Sequence, residues 1–183
     1  MPFVDPDTVQ VLTTADPVTL SWLETIAAND NYFNDPPRVK VYRNAAYGIT
    51  TATNTMVAWN AEEWDTDTMH STSVNTTRLT ATTAGRYHVQ CRIVFDGHAT
   101  ATIGRRVKLW KNGNAGTLCD ADIDPAPSSA YSRTFVSTTV QMAAGDYVEV
   151  EVYQDSGGDL SVIGAALGTS ERSWFEMTWQ GTD

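Results

Sequence analysis

Cysteine, basic residues and long apolar runs are all scarce in this chain of 183 residues, and each shortage excludes something. The only cysteines are Cys91 and Cys119. A disulfide-stapled scaffold is therefore ruled out. Cys91 sits in an apolar strand pattern and Cys119 in a polar stretch, and whether they bond is a matter of geometry that sequence does not decide. Twelve Lys and Arg stand against twenty-two Asp and Glu, a net charge of −10. Phosphate backbones are held by clustered Lys and Arg, so nucleic acid is not an expected partner. No apolar run approaches the ~20 residues that cross a bilayer. No charged start followed by an apolar run reads as a signal peptide. The three histidines, His70, His88 and His98, are far apart and show no zinc-ligand spacing. A strained Gly-x-Ser-x-Gly turn is missing, and Gly104 and Gly113 complete no phosphate-cradling loop. Paired carboxylates of a glycosidase leave no signature in a pattern of this kind. The expectation is a soluble protein that is not an enzyme.

What is present is alternation. In Thr139 to Asp155, Val148, Val150 and Val152 alternate with Tyr147, Glu149, Glu151 and Tyr153. Period two sends the valines to one face and the polar residues to the other, a half-buried strand. Ala144-Gly145-Asp146 before it is a tight turn, since Gly145 tolerates positive φ and Asp146 can bond its own backbone. Thr138, Val140 and Met142 alternate ahead of the turn, which completes a hairpin. The pattern recurs at Val39 to Tyr42, Met56 to Trp59, Arg78 to Ala81, Tyr87 to Phe95, Arg105 to Lys111, Leu160 to Ile163 and Trp174 to Trp179. Asn112-Gly113-Asn114 and Gly157-Gly158 are turn signals. Leu118 to Ala130, with Pro125 and Pro127, reads as a loop, and Glu62 to His70 as an acidic loop. Threonine is the commonest residue, as suits strands. Many short strands with Gly turns predict an all-β sandwich.

The first 37 residues read differently. Met1 to Thr14 is an extended arm carrying Phe3, Val4, Val9, Val11 and Leu12. Asp16-Pro17 then starts a helix, with the cap at Asp16 and proline at the first turn. Val18, Trp22 and Ile26 recur every four residues beside Leu23 and Ala27, an apolar stripe over a helix from Pro17 to about Asn29. Asp35-Pro36-Pro37 is a stiff break that places a domain boundary between 1–37 and 38–183. A helix so short is marginal alone in water, so its apolar stripe must be covered. Arm and helix together are predicted to be an anchor on a partner.

The order of features from Val39 to Gln180 resembles the C1q and tumour-necrosis-factor superfamily. The residues that carry the likeness are Thr83-Ala84-Gly85-Arg86-Tyr87, Leu109-Trp110-Lys111-Asn112-Gly113, Gly145-Asp146-Tyr147-Val148 and the aromatic terminal strand at Trp174-Phe175. The resemblance implies a ten-stranded jelly roll over 38–183. Within the superfamily, Val39-Lys40-Val41-Tyr42-Arg43, Trp64-Asp65-Thr66-Asp67-Thr68-Met69-His70 and Gly145 to Val152 look like C1q-like domains of tailed-bacteriophage virion proteins. The helix followed by Pro36-Pro37 is also similar to such proteins. That implies a structural virion protein, assembled in the host cytoplasm as a capsid decoration or a tail appendage. The alternative is a receptor- or carbohydrate-binding module of a tail fibre or minor tail protein.

Aromatic residues carry the candidate surfaces. Trp59, Trp64, Trp110, Trp174, Trp179, Tyr42, Tyr47, Tyr131 and Tyr153 outnumber the needs of one small core. The bland account of the excess is a second buried surface between subunits. Jelly rolls of the resembled family pack three copies around an axis through aromatic faces. A homotrimer is therefore expected, with Tyr42, Trp110, Tyr147, Tyr153 and Trp174 at its interface. Trp64 and Tyr131, placed at loop tips, are the candidates for stacking on a host surface glycan. In the acidic loop, Asp65 and Asp67 could supply oxygens to calcium, but an EF-hand spacing is missing. No cofactor is expected, and Asp65 and Asp67 stand as the metal candidates.

Overall fold

The computed structural model describes residues 19–98, 104–113, 117–123, 131–165 and 171–182. One helix, α1 (Leu20–Asn34), precedes twelve strands among the described residues. They are β1 (Arg38–Tyr42), β2 (Tyr47–Ile49), β3 (Thr55–Met56), β4 (Ala61–Asp65), β5 (Arg78–Thr80), β6 (Gly85–Phe95), β7 (Arg105–Lys111), β8 (Thr117–Ile123), β9 (Ser132–Met142), β10 (Tyr147–Gln154), β11 (Leu160–Val162) and β12 (Trp174–Gly181). Several are only two or three residues long, so the segments outnumber the ten strands of the resemblance.

Alternation sorts these strands into two antiparallel sheets. The seven-stranded sheet runs β2-β11-β6-β12-β1-β4, with β9 also paired to β6. The five-stranded sheet runs β3-β10-β7-β8, with β5 also paired to β10. Between them lies one core. The seven-stranded sheet contributes Val39, Val41, Tyr87, Val89, Ile93, Phe95, Phe175 and Met177, and the other sheet Val107, Leu109, Val148, Val150 and Val152. All of these are fully buried. Each such valine or leucine is worth ~1.5–3 kcal/mol relative to exposure. The architecture is the all-β jelly-roll sandwich expected.

Local chemistry fixes the ends of the strands. Gly85 opens β6 at φ 150°, and a Cβ there would lie 2.2 Å from Trp179 Nε1 and 2.6 Å from the Gly181 carbonyl oxygen. The Gly-x-Tyr signature thus reflects a close approach of β12, with Tyr87 buried two residues on. At the other end of β9, Gly145 takes φ 91° in the turn to β10.

Four expectations need correction. The acidic stretch from Glu62 is an edge strand, β4, paired to β1. Its carboxylates stay because Lys40, Arg172 and His70 bind them. The stretch from Leu118 begins in β8, paired to β7, since Leu118, Cys119 and Ala121 pack on the core while Asp120 and Asp122 point out. Trp59 and Trp179 are core residues, 0% and 4% exposed, so the aromatic excess is smaller than their count suggested. The helix runs to Asn34, because proline first intervenes at Pro36. Its start is capped at Thr19, whose hydroxyl accepts the Trp22 N–H at 3.3 Å. Asp16, Pro17 and Val18 lie outside the described residues.

Candidate functional site

Two outward sheet faces hold the predicted aromatics, and strand pairing decides which of them meet. On the seven-stranded sheet, Tyr42 pairs with Trp174, Trp174 with Arg92, and Arg92 with Phe135. Phe135 and Trp174 meet edge to face across Arg92, ring centroids 6.0 Å apart. Phe135 is 53% exposed. The next row is Trp64, Lys40, Glu176, Gln90 and Ser137. The Lys40 ammonium lies 4.7 Å from the Trp64 ring and 5.1 Å from the Trp174 ring, with Glu63 at 3.6 Å and Glu176 at 4.0 Å. Arg172 stacks on Tyr42 at 3.5 Å and pairs with Glu63. Beside Phe135, Arg133 and Arg92 both bind Glu171, and the Arg133 hydrogen bond holds that carboxyl below its usual range.

Trp110, Tyr147 and Tyr153 are on the opposite face of the molecule, outward on the five-stranded sheet. Tyr42 and Trp174 are brought together; the other three of the five interface candidates are not brought to them. A cation covers each of the three. Arg78 lies 3.9 Å from the Tyr147 ring, Arg106 4.9 Å from Tyr153 and Lys108 5.6 Å from Trp110. Between these stacks lie Glu149 and Glu151, each only 6% exposed although both point outward. Glu149 is satisfied by Thr77 and Arg78. Among the described residues, Trp110 Nε1 and Arg106 Nε are buried donors without a partner.

The glycan candidates are separated too. Trp64 is on β4 and Tyr131 precedes β9, with β1, β12 and β6 between them in the sheet. Four strand spacings of ~4.8 Å separate their strands by about 19 Å, and Tyr131 also lies well along the sheet from Ser137, which shares the row of Trp64. Of the metal candidates, Asp65 accepts the backbone N–H groups of Asp67, Met69 and His70 at 2.9–3.2 Å. Asp67 is bonded by the Thr82 hydroxyl. Asp65 thereby folds the loop after β4, and its oxygens are already engaged. His70, its side chain buried, donates from Nδ1 to Glu62 at 2.8 Å.

Cys91 and Cys119 are free thiols, one in each sheet. Burial pushes the Cys91 thiol well up. The anchor residues Phe3, Val4, Val9, Val11, Leu12 and Val18 lie outside the described residues. Of the rest, Leu23 and Ile26 are 51% and 50% exposed and Trp22 is half-buried. Sequence reasoning missed Leu20, 79% exposed on the same helix, and Phe135. Parity carried the signal for Phe135, since it shares its register with Ser137, Thr139 and Gln141.

No family model matches the chain, and no curated protein matches it in sequence. Solved structures do match it in shape. The Eiger TNF of S. frugiperda superposes at TM-score 0.59 and 16% identity, covering 80% of this chain and 95% of that one. Murine APRIL gives 0.56 at 15% identity over 79% and 98% of the two chains. The globular domain of zebrafish complement 1qA gives 0.55 at 14% over 80% and 99%. The fold is that of the C1q and tumour-necrosis-factor jelly rolls.

Proposed function

We propose that this chain is a non-enzymatic structural protein of a tailed-phage virion: a homotrimeric jelly roll held to the particle by its first 37 residues. The carrying observation is the outer face of the seven-stranded sheet. There Phe135, 53% exposed, continues into Trp174 and Tyr42. An exposed aromatic on a broad strand face is covered at low cost by another copy of the same chain, and obligate interfaces of this kind resemble a core cut in half. The phage assignment rests on the resemblance of Val39 to Arg43, Trp64 to His70 and Gly145 to Val152 to virion C1q-like domains. Leu20, Leu23 and Ile26 support the anchor, since an exposed apolar helix needs a surface to cover it. The trimer needs no cofactor, and its place is the virion, as head decoration or tail appendage.

Light scattering on the full chain tests the assembly. Three times the monomer mass is expected, and Phe135→Arg should give a folded monomer. A wild-type monomer at micromolar concentration overturns the trimer. Gold labelling of intact particles tests the location, and unlabelled particles overturn the virion assignment.

A second reading, a carbohydrate-binding module of the tail, is favoured by one feature. On the face that the trimer would leave free, Trp110 Nε1 and Arg106 Nε are buried donors without an acceptor among the described residues.

A further inference from the structure

Charge is spread unevenly along this chain. Residues 1–37 hold six of the 22 acidic residues and none of the 12 basic ones, so they carry −6 of the net −10. The rest of the chain is also acidic, but mildly, with all of the bases interspersed. On α1 the acids sit with the apolar residues. At about 100° per residue, Leu20, Leu23, Ile26 and Ala27 share one side of the helix with Asp30, and Glu24 borders that side next to Leu20. All of these are exposed, while Trp22, Thr25 and Asn29, turned the other way, are half-buried. The helix thus has one open side that is apolar and acidic together. Its last turn holds no basic residue, so Asp30 adds to the negative end of the helix dipole.

We propose that this side of α1 docks in an apolar groove, rimmed by Lys and Arg, on a different protein. The inference rests on the anchor reading and deepens it by naming the partner's chemistry. Leu20, Leu23 and Ile26 call for an apolar floor, the usual fit of a helix in a groove. Glu24 and Asp30 select what surrounds that floor, since like charges facing each other across an interface are costly and opposite ones steer the encounter. Three other occupants fail. A bundle of three α1 helices would use the seam Leu20, Leu23, Ala27, Asp30 and Asn34, spaced three and four residues apart. That seam brings three Asp30 carboxylates onto one axis beneath a thin layer of alanine. The sandwich of another copy is itself net acidic, and its bases are engaged: Lys40 and Arg172 with Glu63, Lys111 with Asp146, Arg133 with Glu171. Membrane surfaces are anionic, and helices that lie on them carry Lys and Arg on the polar side, where α1 has neither. A basic groove meets each objection. Its cations neutralise Glu24 and Asp30 and face the negative end of the helix.

The test adds the full chain to purified particles made without it and measures attachment from ~50 to ~500 mM sodium chloride. Wild-type attachment should weaken about tenfold or more across that range. Glu24→Lys combined with Asp30→Lys should lose about tenfold or more at low salt. Glu24→Gln combined with Asp30→Asn should flatten the salt dependence. Both positions are exposed, so mass and melting temperature should stay those of wild type, which separates lost attachment from lost folding. Leu23→Ala should weaken attachment at every salt concentration. A benzophenone side chain in place of Ala27 reports the neighbour on irradiation, and the expected cross-link is to another protein. Attachment indifferent to salt and to charge reversal overturns the proposal. So does a cross-link from one α1 to another, or binding to phosphatidylglycerol vesicles that Leu23→Ala abolishes. A wild-type chain that never attaches sinks the anchor reading, and this inference with it. Attachment that needs Leu23 but ignores both carboxylates keeps the anchor and sinks this inference alone.

Discussion

Asp146 ties two hairpin tips together, and its removal should lower stability in a way that acid reveals. Its Oδ2 accepts from Lys111 Nζ at 2.8 Å and from the Ala143 N–H at 2.8 Å, while Oδ1 accepts from Asn112 Nδ2 at 2.8 Å. Asn112 Oδ1 in turn accepts the Tyr147 N–H at 2.9 Å. The turn after β7 and the turn before β10 are thus locked by one carboxylate. The side-chain bond from Lys111, then that from Asn112, then the Ala143 N–H bring the Asp146 carboxyl down from 3.8 to about 2. A depressed carboxyl stabilises the fold above its unfolded value. That contribution is complete above about pH 4 and is lost as pH falls through about 2. A depression of about two units is worth at most ~2.7 kcal/mol at 1.36 kcal/mol per unit. The group sits at the surface, its side chain 20% exposed, and solvent screening brings the figure to about 1–2 kcal/mol.

Asp146→Asn keeps the shape and the bond from Asn112, but sets an NH₂ against two donors, Lys111 Nζ and the Ala143 N–H. At neutral pH the variant should melt about 2–8 °C below wild type, at about 2–4 °C per kcal/mol for a chain of this size. Circular dichroism melts at fixed protein concentration from neutral pH to about pH 2 follow the gap. Fixing the concentration matters because assembly also stabilises. Other carboxylates titrate alike in both proteins and cancel in the difference. The gap should close toward the acid end. A variant that melts with wild type at neutral pH, or a gap constant across the range, refutes the argument.

Gly85→Ala should destabilise by about 2–4 kcal/mol through the clash with Trp179 and the Gly181 carbonyl, read as a lower denaturant midpoint; a neutral outcome would mean β12 moves aside freely. Asp65→Ala removes the acceptor of three backbone N–H groups, so about 1–3 kcal/mol should be lost on chemical denaturation with no change in calcium response. Stabilisation by millimolar calcium that vanishes in the variant would restore Asp65 as a ligand. For the anchor, truncation before Arg38 should leave a folded trimer that no longer joins particles, and Trp22→Ala should weaken attachment by ~2 kcal/mol. Normal incorporation of the truncated chain removes the anchor, and loss of trimerisation places the helices on the trimer axis instead.

Some of this architecture is legible in the residues because one strand face is apolar and the other is not. Val148, Val150 and Val152 in β10 and Tyr87, Val89, Cys91, Ile93 and Phe95 in β6 identify central strands by parity alone. Parity fails where the inward residues are small or polar and the outward ones acidic. β8 presents Cys119 and Ala121 inward with Asp120 and Asp122 outward, a low-propensity string that reads as a loop. β4 hides its pairing in the same way, since Glu62 and Glu63 belong to a network whose other members, His70, Arg172 and Lys40, are set by the fold.

The surfaces were harder to read than the strands, because a site depends on pairings between distant segments. Tyr42 and Trp174 face outward in one row only because the first strand pairs with the last. Trp110 and Tyr153 have the same outward parity but belong to the other sheet, so five similar residues divide between two opposite faces. Alternation also predicts that Glu149 and Glu151 are solvated, which would be true on an edge strand. In β10, flanked by β7 on one side and by β3 and β5 on the other, their neighbours close over them. Burial on the outward face is a property of position in the sheet, and it lets neighbours cover an ordinary polar register. Sequence marks which residues leave the core; only the strand order tells which of those are then covered a second time.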